Sequence, residues 1–457
     1  MFNMLSIGKS AVMANEKQLE TTANNIANSN TPGYSRQRVI QEAALSISTA
    51  NYNYGTGVDL IRIERMRDLQ LDVEFRRHNS NAGYWGTMSR HLNELEKNVM
   101  ETTEHGIYAS INNFFNSWES LSNNPYSNIH RMQLVADTNR LTDGFKDLYR
   151  NIQTKIDDAT LALTHSADRI NQISKEMAIL LQHISLEEMN HRPVNELLDK
   201  FDLLVDELSS YGNVQIHKRE NSTLSVYLGT DELVRNGHYN TLSVMEKQNL
   251  ATGVTTLELG WDNAGTPIGG LTSGSLNALE DLRKVVLPEY QKKLDELVMQ
   301  ITEQVNSIHV QGFNLYGSGA DFFDPNVTGV MTFSLSKEVL ADPSFIATSL
   351  TGAIGDNQIA LMMTDLRLQR VFDGQTLTES FADIVYTVGQ DVKFSQNNAE
   401  RTALVAKQTD NFRESVKGVS INEETTNLLR YQQSYQAAAK IISIADEMIK
   451  TIIGLVR

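Results

Sequence analysis

Histidine is the side chain best suited to acid–base or metal chemistry near neutral pH, and this chain has 10 histidines. They are scattered, and His183 and His191 are too far apart to be two metal ligands on adjacent helical turns. His309 is a candidate buried hydrogen-bond donor. The sequence contains no cysteine, which excludes disulfides, thiol catalysis and cysteine-ligated metals. We interpret the histidines as ordinary surface or core residues, and the sequence predicts neither a metal nor a cofactor.

Carboxylates at one-turn spacing are the second candidate for chemistry, because such a cluster could hold a cation. Asp199, Asp202 and Asp206 have this spacing. The apolar residues between them follow the period of an amphipathic helix, whereas calcium loops need turn-forming residues and glycine. We therefore interpret the three aspartates as a solvated acidic face.

Motifs for phosphate, nucleotide or hydrolytic chemistry are absent from the sequence. Gly55-Thr-Gly57 lacks the third glycine of a dinucleotide fingerprint, and no His-Glu-x-x-His or Walker loop occurs. Asp231, Glu232 and Asp262 would have to supply paired carboxylates in a β segment without histidine support. The chain is therefore predicted not to be an enzyme.

The charge balance argues against nucleic acid as a partner, since the formal net charge is −16 at pH 7. A local basic cluster is interleaved with acidic residues, and we interpret it as a solvated, salt-bridged helix face. Its members are Arg62, Arg65, Arg67, Arg76 and Arg77, with Glu64, Asp68, Asp72 and Glu74 between them. No run of about 18 to 20 apolar residues occurs, so no membrane association is predicted.

The two ends of the chain carry long apolar stripes at helical spacing, which predict helices that dock along their length. Chain ends are usually polar and frayed unless something holds them, so we expect these helices to pair with each other and with neighbouring copies. The N-terminal stripe is Leu5, Val12, Leu19 and Ile26. The C-terminal stripe is Leu428, Tyr431, Tyr435, Ala438, Ile442, Ala445, Ile449 and Ile452.

Changes of period along the chain predict a mainly α protein with a β insertion. We expect an elongated multi-domain molecule with terminal coiled-coil helices, a long helical bundle and a small antiparallel β domain. The predicted segments are 1–38 (N-terminal assembly helix and turn), 39–209 (arm and long-helix domain, first part), 210–268 (β domain), 269–312 (long-helix domain, second part), 313–357 (loop-rich segment or reduced outer domain), 358–420 (long-helix domain, third part) and 421–457 (C-terminal assembly helix).

The segment after the first helix resembles the signature of the bacterial flagellar rod, hook and hook-associated proteins. The residues that carry the resemblance are Asn24, Asn25, Ile26, Ala27, Asn28, Thr31, Pro32, Gly33 and Tyr34, continued by Ser35, Arg36 and Gln37 in the form typical of the hook-associated protein at the hook–filament junction. Further matches are Phe114-Phe-Asn-Ser-Trp118, Asn306-Ser-Ile-His309, Gly312-Phe-Asn-Leu-Tyr-Gly317, Asp321-Phe-Phe323, Gly355-Asp-Asn357 and Asn427-Leu-Leu-Arg-Tyr-Gln-Gln-Ser-Tyr-Gln-Ala437. Departures are Lys200-Phe201-Asp202 in place of Gln-Arg-Asp and a shorter segment before Gly355.

The resemblance implies a structural protein that is exported unfolded through the flagellar type III apparatus and works in the extracellular flagellum. It implies a self-assembled ring between the hook protein and hook-associated protein 3, with an outward β domain and with the terminal helices lining the inner tube. It also implies an export chaperone at the C-terminal helix. Alternatives left open by the residues are the hook subunit, hook-associated protein 3 and an intracellular coiled-coil adaptor.

Overall fold

The computed structural model describes residues 2–48, 52–99, 106–218, 224–248 and 255–455. Parts of the predicted β domain, 219–223 and 249–254, lie outside these ranges. The helices are α1 (Phe2–Ala27), α2 (Leu69–Val99), α3 (Ile107–Asn123), α4 (Asn128–Met189), α5 (Asn195–Tyr211), α6 (Ser275–Asp281), α7 (Leu287–His309), α8 (Lys337–Ala341), α9 (Gln358–Asp365), α10 (Leu377–Lys417) and α11 (Ile421–Leu455). A π-helical turn, Leu282–Val286, joins α6 to α7.

The strands form small antiparallel sheets. They are β1 (Gln37–Ala43), β2 (Ile47–Ser48), β3 (Asn53–Tyr54), β4 (Val58–Arg65), β5 (Val214–Lys218), β6 (Leu224–Leu228), β7 (Asp231–Arg235), β8 (His238–Tyr239), β9 (Leu242–Gln248), β10 (Thr255–Trp261) and β11 (Thr266–Pro267). β1 pairs with β4 and β2 with β3, which makes a hairpin arm; the other sheets have the orders β5-β6-β7-β8 and β11-β10-β9. The prediction of a mainly α fold with a β insertion is confirmed, although the insertion contains two sheets.

The chain divides into two compact units, each built from separate stretches of sequence. The terminal unit comprises Met1–Ala82, Ala167–Gly274 and Thr402–Arg457, and the middle unit comprises Gly83–Ser166 and Ser275–Arg401. Helices α2, α4 and α10 contribute residues to both. The seven segments predicted from the sequence follow changes in local pattern, and they stay a prediction.

The core of the middle unit is a cluster of aromatic rings from α3 and the chain after α7. Trp118 is fully buried and lies 5.3 Å from Phe322, measured between ring centroids. The Asn306 side chain accepts hydrogen bonds from the backbone N–H groups of Phe322 and Phe323 and donates to the Phe323 carbonyl. The loop after α7 is thereby fastened to the helix, because a buried amide satisfies three backbone groups that no strand pairs.

His309 is a core residue with both ring nitrogens in hydrogen bonds. Nδ1 pairs with the Ala320 carbonyl, and Nε2 accepts from the Ala347 N–H at 2.8 Å. Nδ1 therefore carries the proton of a neutral ring, since a carbonyl can only accept. Burial lowers the pKa of His309 to about 4, and the nearby Arg131 also lowers it, while the bond to Ala320 acts in the opposite direction.

We predict that the free energy of unfolding of the middle unit contains a His309 contribution that is lost in acid. The folded ring resists protonation, so the unfolded chain gains the proton first once the pH falls below about 6.5. The loss should approach about 1.4 kcal/mol per pH unit and about 3 kcal/mol in total by pH 4. Urea unfolding followed by tryptophan fluorescence measures it, because Trp118 packs against the ring. His309→Gln, which does not titrate, should lack this component; parallel pH curves for the two proteins would contradict the prediction.

Candidate functional site

The terminal helices α1 and α11 pack against each other in antiparallel orientation. Near one end of this terminal pair, a Cβ added to Gly8 would come within 2.8 Å of Ile442 Cγ1, so the glycine allows the helices to approach closely. Near the other end, Asn25 Nδ2 donates to Glu424 Oε2 at 3.0 Å. Ala14, Ala438 and Ala445 are also buried. Because the residues at the contact are small, the backbones of α1 and α11 can lie close together.

The predicted stripe residues lie together along the terminal pair, but they differ in burial. Ala438 and Ala445 are buried, Tyr435 and Ile452 are exposed, and the remaining members are half-buried: Leu5, Val12, Leu19, Ile26, Leu428, Tyr431, Ile442 and Ile449. The assignment of these residues as contacts between copies stays a prediction, since at least Ile442 already packs within its own chain.

A second apolar stripe on α11 was missed in the sequence. It lies beside the predicted stripe, and we call it the outer stripe: Ile441, Ile444 and Met448, continued by Ile452 of the predicted stripe. These side chains are 36–46% exposed. The spacing 441, 444, 448, 452 is itself helical, so the signal was present beside the stripe that we selected. An exposed apolar row of this length is typical of a protein–protein contact.

Asn25 is the central residue of the signature segment. It is 1% exposed, and its amide makes four hydrogen bonds. Nδ2 donates to the Gln37 carbonyl (2.9 Å) and to Glu424, while Oδ1 accepts from the Gln37 N–H (2.9 Å) and the Tyr34 hydroxyl (2.8 Å). Burial raises the pKa of Tyr34, helped by Glu196, Asp199 and Glu424, so that hydroxyl keeps its proton and donates. One side chain thus joins α1, β1 and α11.

The rest of the Asn-rich signature shapes the turn that leaves α1. Asn28 Nδ2 donates to the Asn24 carbonyl and side-chain oxygen, and Thr31 donates to Asn28. Gly33 has φ +79° and lies against Leu203, where a Cβ would be 3.4 Å from Leu203 Cδ1. The turn that contains Pro32 therefore returns the chain toward α5.

Ser35, Arg36 and Gln37 anchor this turn to two helices. Ser35 donates to Asp199 through both its N–H (3.0 Å) and its hydroxyl (2.6 Å). Arg36 forms ion pairs with Glu423 and Glu424 of α11 at 3.0 and 2.7 Å. Gln37 Nε2 donates to Glu196 at 3.1 Å. These residues hold the terminal pair and the hairpin arm against α5.

The interpretation of the three aspartates as a solvated face was wrong, and that of the basic cluster was wrong for Arg65, Arg67 and Arg76, which are salt-bridged as predicted but not solvated. Arg65, Arg67, Arg76 and Arg413 meet Asp72, Asp199, Asp202 and Asp206 in one buried group, which we call the Arg–Asp cluster. Their side chains are only 3–16% exposed. The arginines neutralise the aspartates, and this pairing cannot be seen in either segment of the sequence alone. Arg62 and Glu64, by contrast, form the exposed pair that was expected.

Asp202 is the most shared member of the Arg–Asp cluster. Its carboxylate accepts from Arg65 at 2.8 Å and from Arg67 and Arg76 at 2.9 Å. Burial alone would raise the pKa of Asp202, but the charges of Arg67, Arg76 and Arg65 lower it below its usual range. Arg413 adds a face-on contact with the Phe75 ring at 3.8 Å. The cluster joins the end of β4 to α2, α5 and α10.

The described residues contain no group of three or more histidines and carboxylates that could hold a metal ion. Asp231 accepts from Trp261 Nε1 (2.8 Å) and the Gly269 N–H (2.9 Å), and Asp262 pairs with Ser243. These carboxylates fasten strands and turns together. Within the described ranges, no helix has the length and apolar character needed to cross a bilayer.

Family models match three parts of the chain. The model described as "Flagellar hook-associated protein FlgK helical domain" matches residues 92–323, just over half of the chain. "Flagella basal body rod protein" matches residues 5–34, and "Flagellar basal body rod FlgEFG protein C-terminal" matches residues 415–455. The two terminal matches contain most of α1 and of the signature, and all of α11.

Similarity to named proteins extends over the whole chain. Flagellar hook-associated protein 1 of Bacillus subtilis (strain 168) is 28% identical, with 99% of this chain and 98% of the relative covered. The protein of the same name from Salmonella typhimurium is 22% identical, with 100% of each covered. The solved structure "The structure of the flagellar hook junction protein FlgK from Burkholderia pseudomallei" has a TM-score of 0.65 at 14% identity and covers 76% of this chain and 100% of that chain. At that identity, the structural likeness shows the fold alone.

We predict that Asn25→Ala loosens the terminal pair, because the buried N–H and carbonyl of Gln37 lose their bonds to the amide and Glu424 keeps only Arg36. The cost should be about 2–4 kcal/mol, measured as faster hydrogen exchange of α1 and α11 peptides by mass spectrometry. Asn24→Ala is the matched control, since Asn24 is exposed and should cost below about 0.5 kcal/mol. Equal exchange in the two variants would show that the four bonds of Asn25 do not hold the pair.

We also predict that Asp202→Asn destabilises the terminal unit by about 3–5 kcal/mol, since three buried arginines lose a shared anion. Hydrogen exchange of α2 and α5 measures this change, and Glu64→Gln, in an exposed pair, should cost below about 1 kcal/mol. The folded-state pKa of Asp202 is depressed, so its stabilisation is present above the unfolded value near 3.8 and is lost as the pH falls further. The difference between wild type and variant should therefore persist at pH 5; its absence there would contradict the assignment.

Proposed function

Because the chain belongs to the FlgK family of flagellar hook-associated proteins, it is a structural component of the bacterial flagellum, and we propose that it forms the ring that joins the hook to the filament. Its full-length relatives are named hook-associated protein 1, and the solved neighbour is titled a hook junction protein. The alignment to the Salmonella relative covers 554 positions against 457 residues here, which fits a reduced outer segment in this chain.

The observation that carries the proposal is the outer stripe on α11. Pairing with α1 covers one side of the helix, yet Ile441, Ile444 and Met448 beside it stay 36–46% exposed. At roughly 25 cal/mol for each Å² of apolar surface, covering this row by neighbouring copies would contribute strongly to assembly. The terminal pair would then line the inner tube, with the outer stripe as the contact between copies.

The partners follow from the position of such a ring. One face would contact the hook protein and the other hook-associated protein 3, and the ring would transmit torque between them. Export would proceed unfolded through the flagellar type III apparatus, so the working location is the extracellular flagellum. An export chaperone would cover α11 beforehand, because an exposed apolar row would otherwise self-associate. No nucleic acid, membrane, cofactor or catalytic activity is part of this proposal.

Three other functions were left open by the sequence. The hook subunit and hook-associated protein 3 would share the terminal helices, but the family match across residues 92–323 favours hook-associated protein 1. An intracellular coiled-coil adaptor would need no anchoring of its ends to a hairpin arm, whereas Asn25 and Arg36 build that anchor here.

The deciding experiment adds the purified protein to isolated hooks that lack the junction, followed by hook-associated protein 3 and filament subunits. Electron microscopy should show a ring on the hook and filament growth only when this protein is present. Failure of the folded protein to cap hooks would contradict the junction role and would favour another position in the flagellar axis.

We predict that Ile444→Asp combined with Met448→Asp abolishes capping and chaperone binding while the terminal pair stays intact. Both side chains are at least 40% exposed, so charge is tolerated in the free protein but not in a dry contact between copies. Glu447→Ala, exposed on the same helix, should cap normally. Ile442→Asp with Ile449→Asp should instead open the pair itself, seen as fast hydrogen exchange of α1. Normal capping by the Ile444→Asp/Met448→Asp variant would contradict the proposed role of the outer stripe.

A further inference from the structure

The tip of the hairpin arm, taken as the described residues 44–48 and 52–57, contains no charged residue and exposes large apolar side chains. Leu45 is 91% exposed, Ile47 57% and Tyr54 49%. Soluble chains seldom present several such side chains on one short loop without a partner. The hairpin tip is therefore a candidate contact surface that the terminal helices do not account for.

Contacts with α1 hold the hairpin tip in place. The Val58 N–H donates to Ser10 Oγ at 3.2 Å, and Asn3 Nδ2 donates to the Gly55 carbonyl at 3.3 Å. Gly57 has φ +114°, and a Cβ there would collide with the Ser10 side chain. These contacts fasten the base of the tip, Gly55 to Val58, to α1, and such fastening lowers the entropy lost on docking.

A cavity of about 390 Å³ lies in the same unit, among α2, α4, α5 and the sheet that contains β5. Its lining includes the apolar side chains Leu69, Val73, Ile184 and Leu224. Leu69 is 78% exposed and Val73 65%. The charged lining residues belong mainly to the Arg–Asp cluster, where opposite charges are already paired. An uncharged apolar guest therefore suits the cavity, and its volume is ordinary for a binding pocket.

We propose that the hairpin tip of one copy inserts into this cavity of the next copy in the ring. The inference rests on the proposed function, because it needs copies side by side. Arg65 ends β4 and also lines the cavity, so the eight residues of β4 separate tip and cavity by roughly 26 Å. The tip is fastened to α1 and cannot fold back into the cavity of its own chain.

Two different complementary patches on one chain give a head-to-tail contact, and a head-to-tail contact repeats around a closed ring. A self-complementary patch would stop at a dimer. The copies also repel each other, since each carries a formal charge of −16, and an uncharged tip that enters a cavity whose charges are mainly paired adds little to that repulsion. A second copy is thus the occupant that tip, cavity and ring geometry favour together.

Cysteine cross-linking tests the contact directly, because the chain has no cysteine of its own. Leu45→Cys and Val73→Cys proteins are prepared separately, mixed, added to hooks that lack the junction and treated with a short bis-maleimide. A cross-linked dimer should form in the mixture and not with either protein alone. In the double variant Leu45→Cys/Val73→Cys, linked products should be multimers and not internally bridged monomers.

Capping of hooks supplies the second measurement. Leu45→Glu and Val73→Glu should each lower the fraction of capped hooks at least about tenfold, since a carboxylate would enter an apolar contact. Leu161→Glu is the control, because Leu161 is 58% exposed on α4 in the middle unit and should cap normally. Circular dichroism checks that all three variants are folded; if one glutamate variant is not, Leu45→Ser or Val73→Ser replaces it.

The outcomes separate the two proposals. If the wild-type protein caps hooks but no cross-link forms, and both glutamate variants cap normally, the docking inference is overturned and the junction role stays intact. If the wild-type protein caps no hooks, the junction role fails. The cross-link is then measured in the concentrated protein alone, where its absence overturns the docking inference as well.

Discussion

The amide of Asn25 is the contact on which the arrangement of the terminal unit depends. A buried amide must satisfy two donors and two acceptor positions, and here one loop, one strand and one helix supply all four partners. The terminal helices contact each other through glycine and alanine, and such small side chains fix how close the helices lie more than their relative direction. The hydrogen bond from Asn25 to Glu424 fixes the register between α1 and α11, and the ion pairs of Arg36 reinforce it.

The Arg–Asp cluster has a different role from the hydrogen bonds of Asn25. Burying eight charges is unfavourable compared with an apolar core of the same volume, so the cluster is weak support for overall stability. Its value lies in geometry, because planar guanidinium groups accept only a few orientations of a carboxylate. Ser35 extends the network to the signature turn through Asp199. The hairpin arm, α2, α5 and α10 are therefore joined by directional bonds at the place where the terminal pair is attached.

This arrangement explains why the signature of the family is rich in asparagine and not in catalytic residues. Asn24, Asn25 and Asn28 each use both ends of the amide or the local backbone to shape a turn. Nothing comparable is built around a reacting group in the described ranges, where His309 and Asp231 serve only the core. The surfaces that we propose for assembly are the outer stripe, the hairpin tip and the cavity bounded by α2 and α5.

The sequence by itself determined the features that depend on local pattern. The period of apolar residues determined the long helices and the β insertion, and the asparagines with Pro32 and Gly33 determined the turn. The spacing of Leu5 through Ile26 and of Leu428 through Ile452 determined two amphipathic terminal helices. Only the tertiary structure decided which charges are buried, because Arg67 and Asp202 are far apart in the chain and each segment alone is a normal solvated helix face. It also decided which side of α11 is left uncovered, since Ile442 and Ile444 are equally apolar in the sequence. Their difference arises from where α1 packs, and packing between distant segments is not encoded in the period of either one.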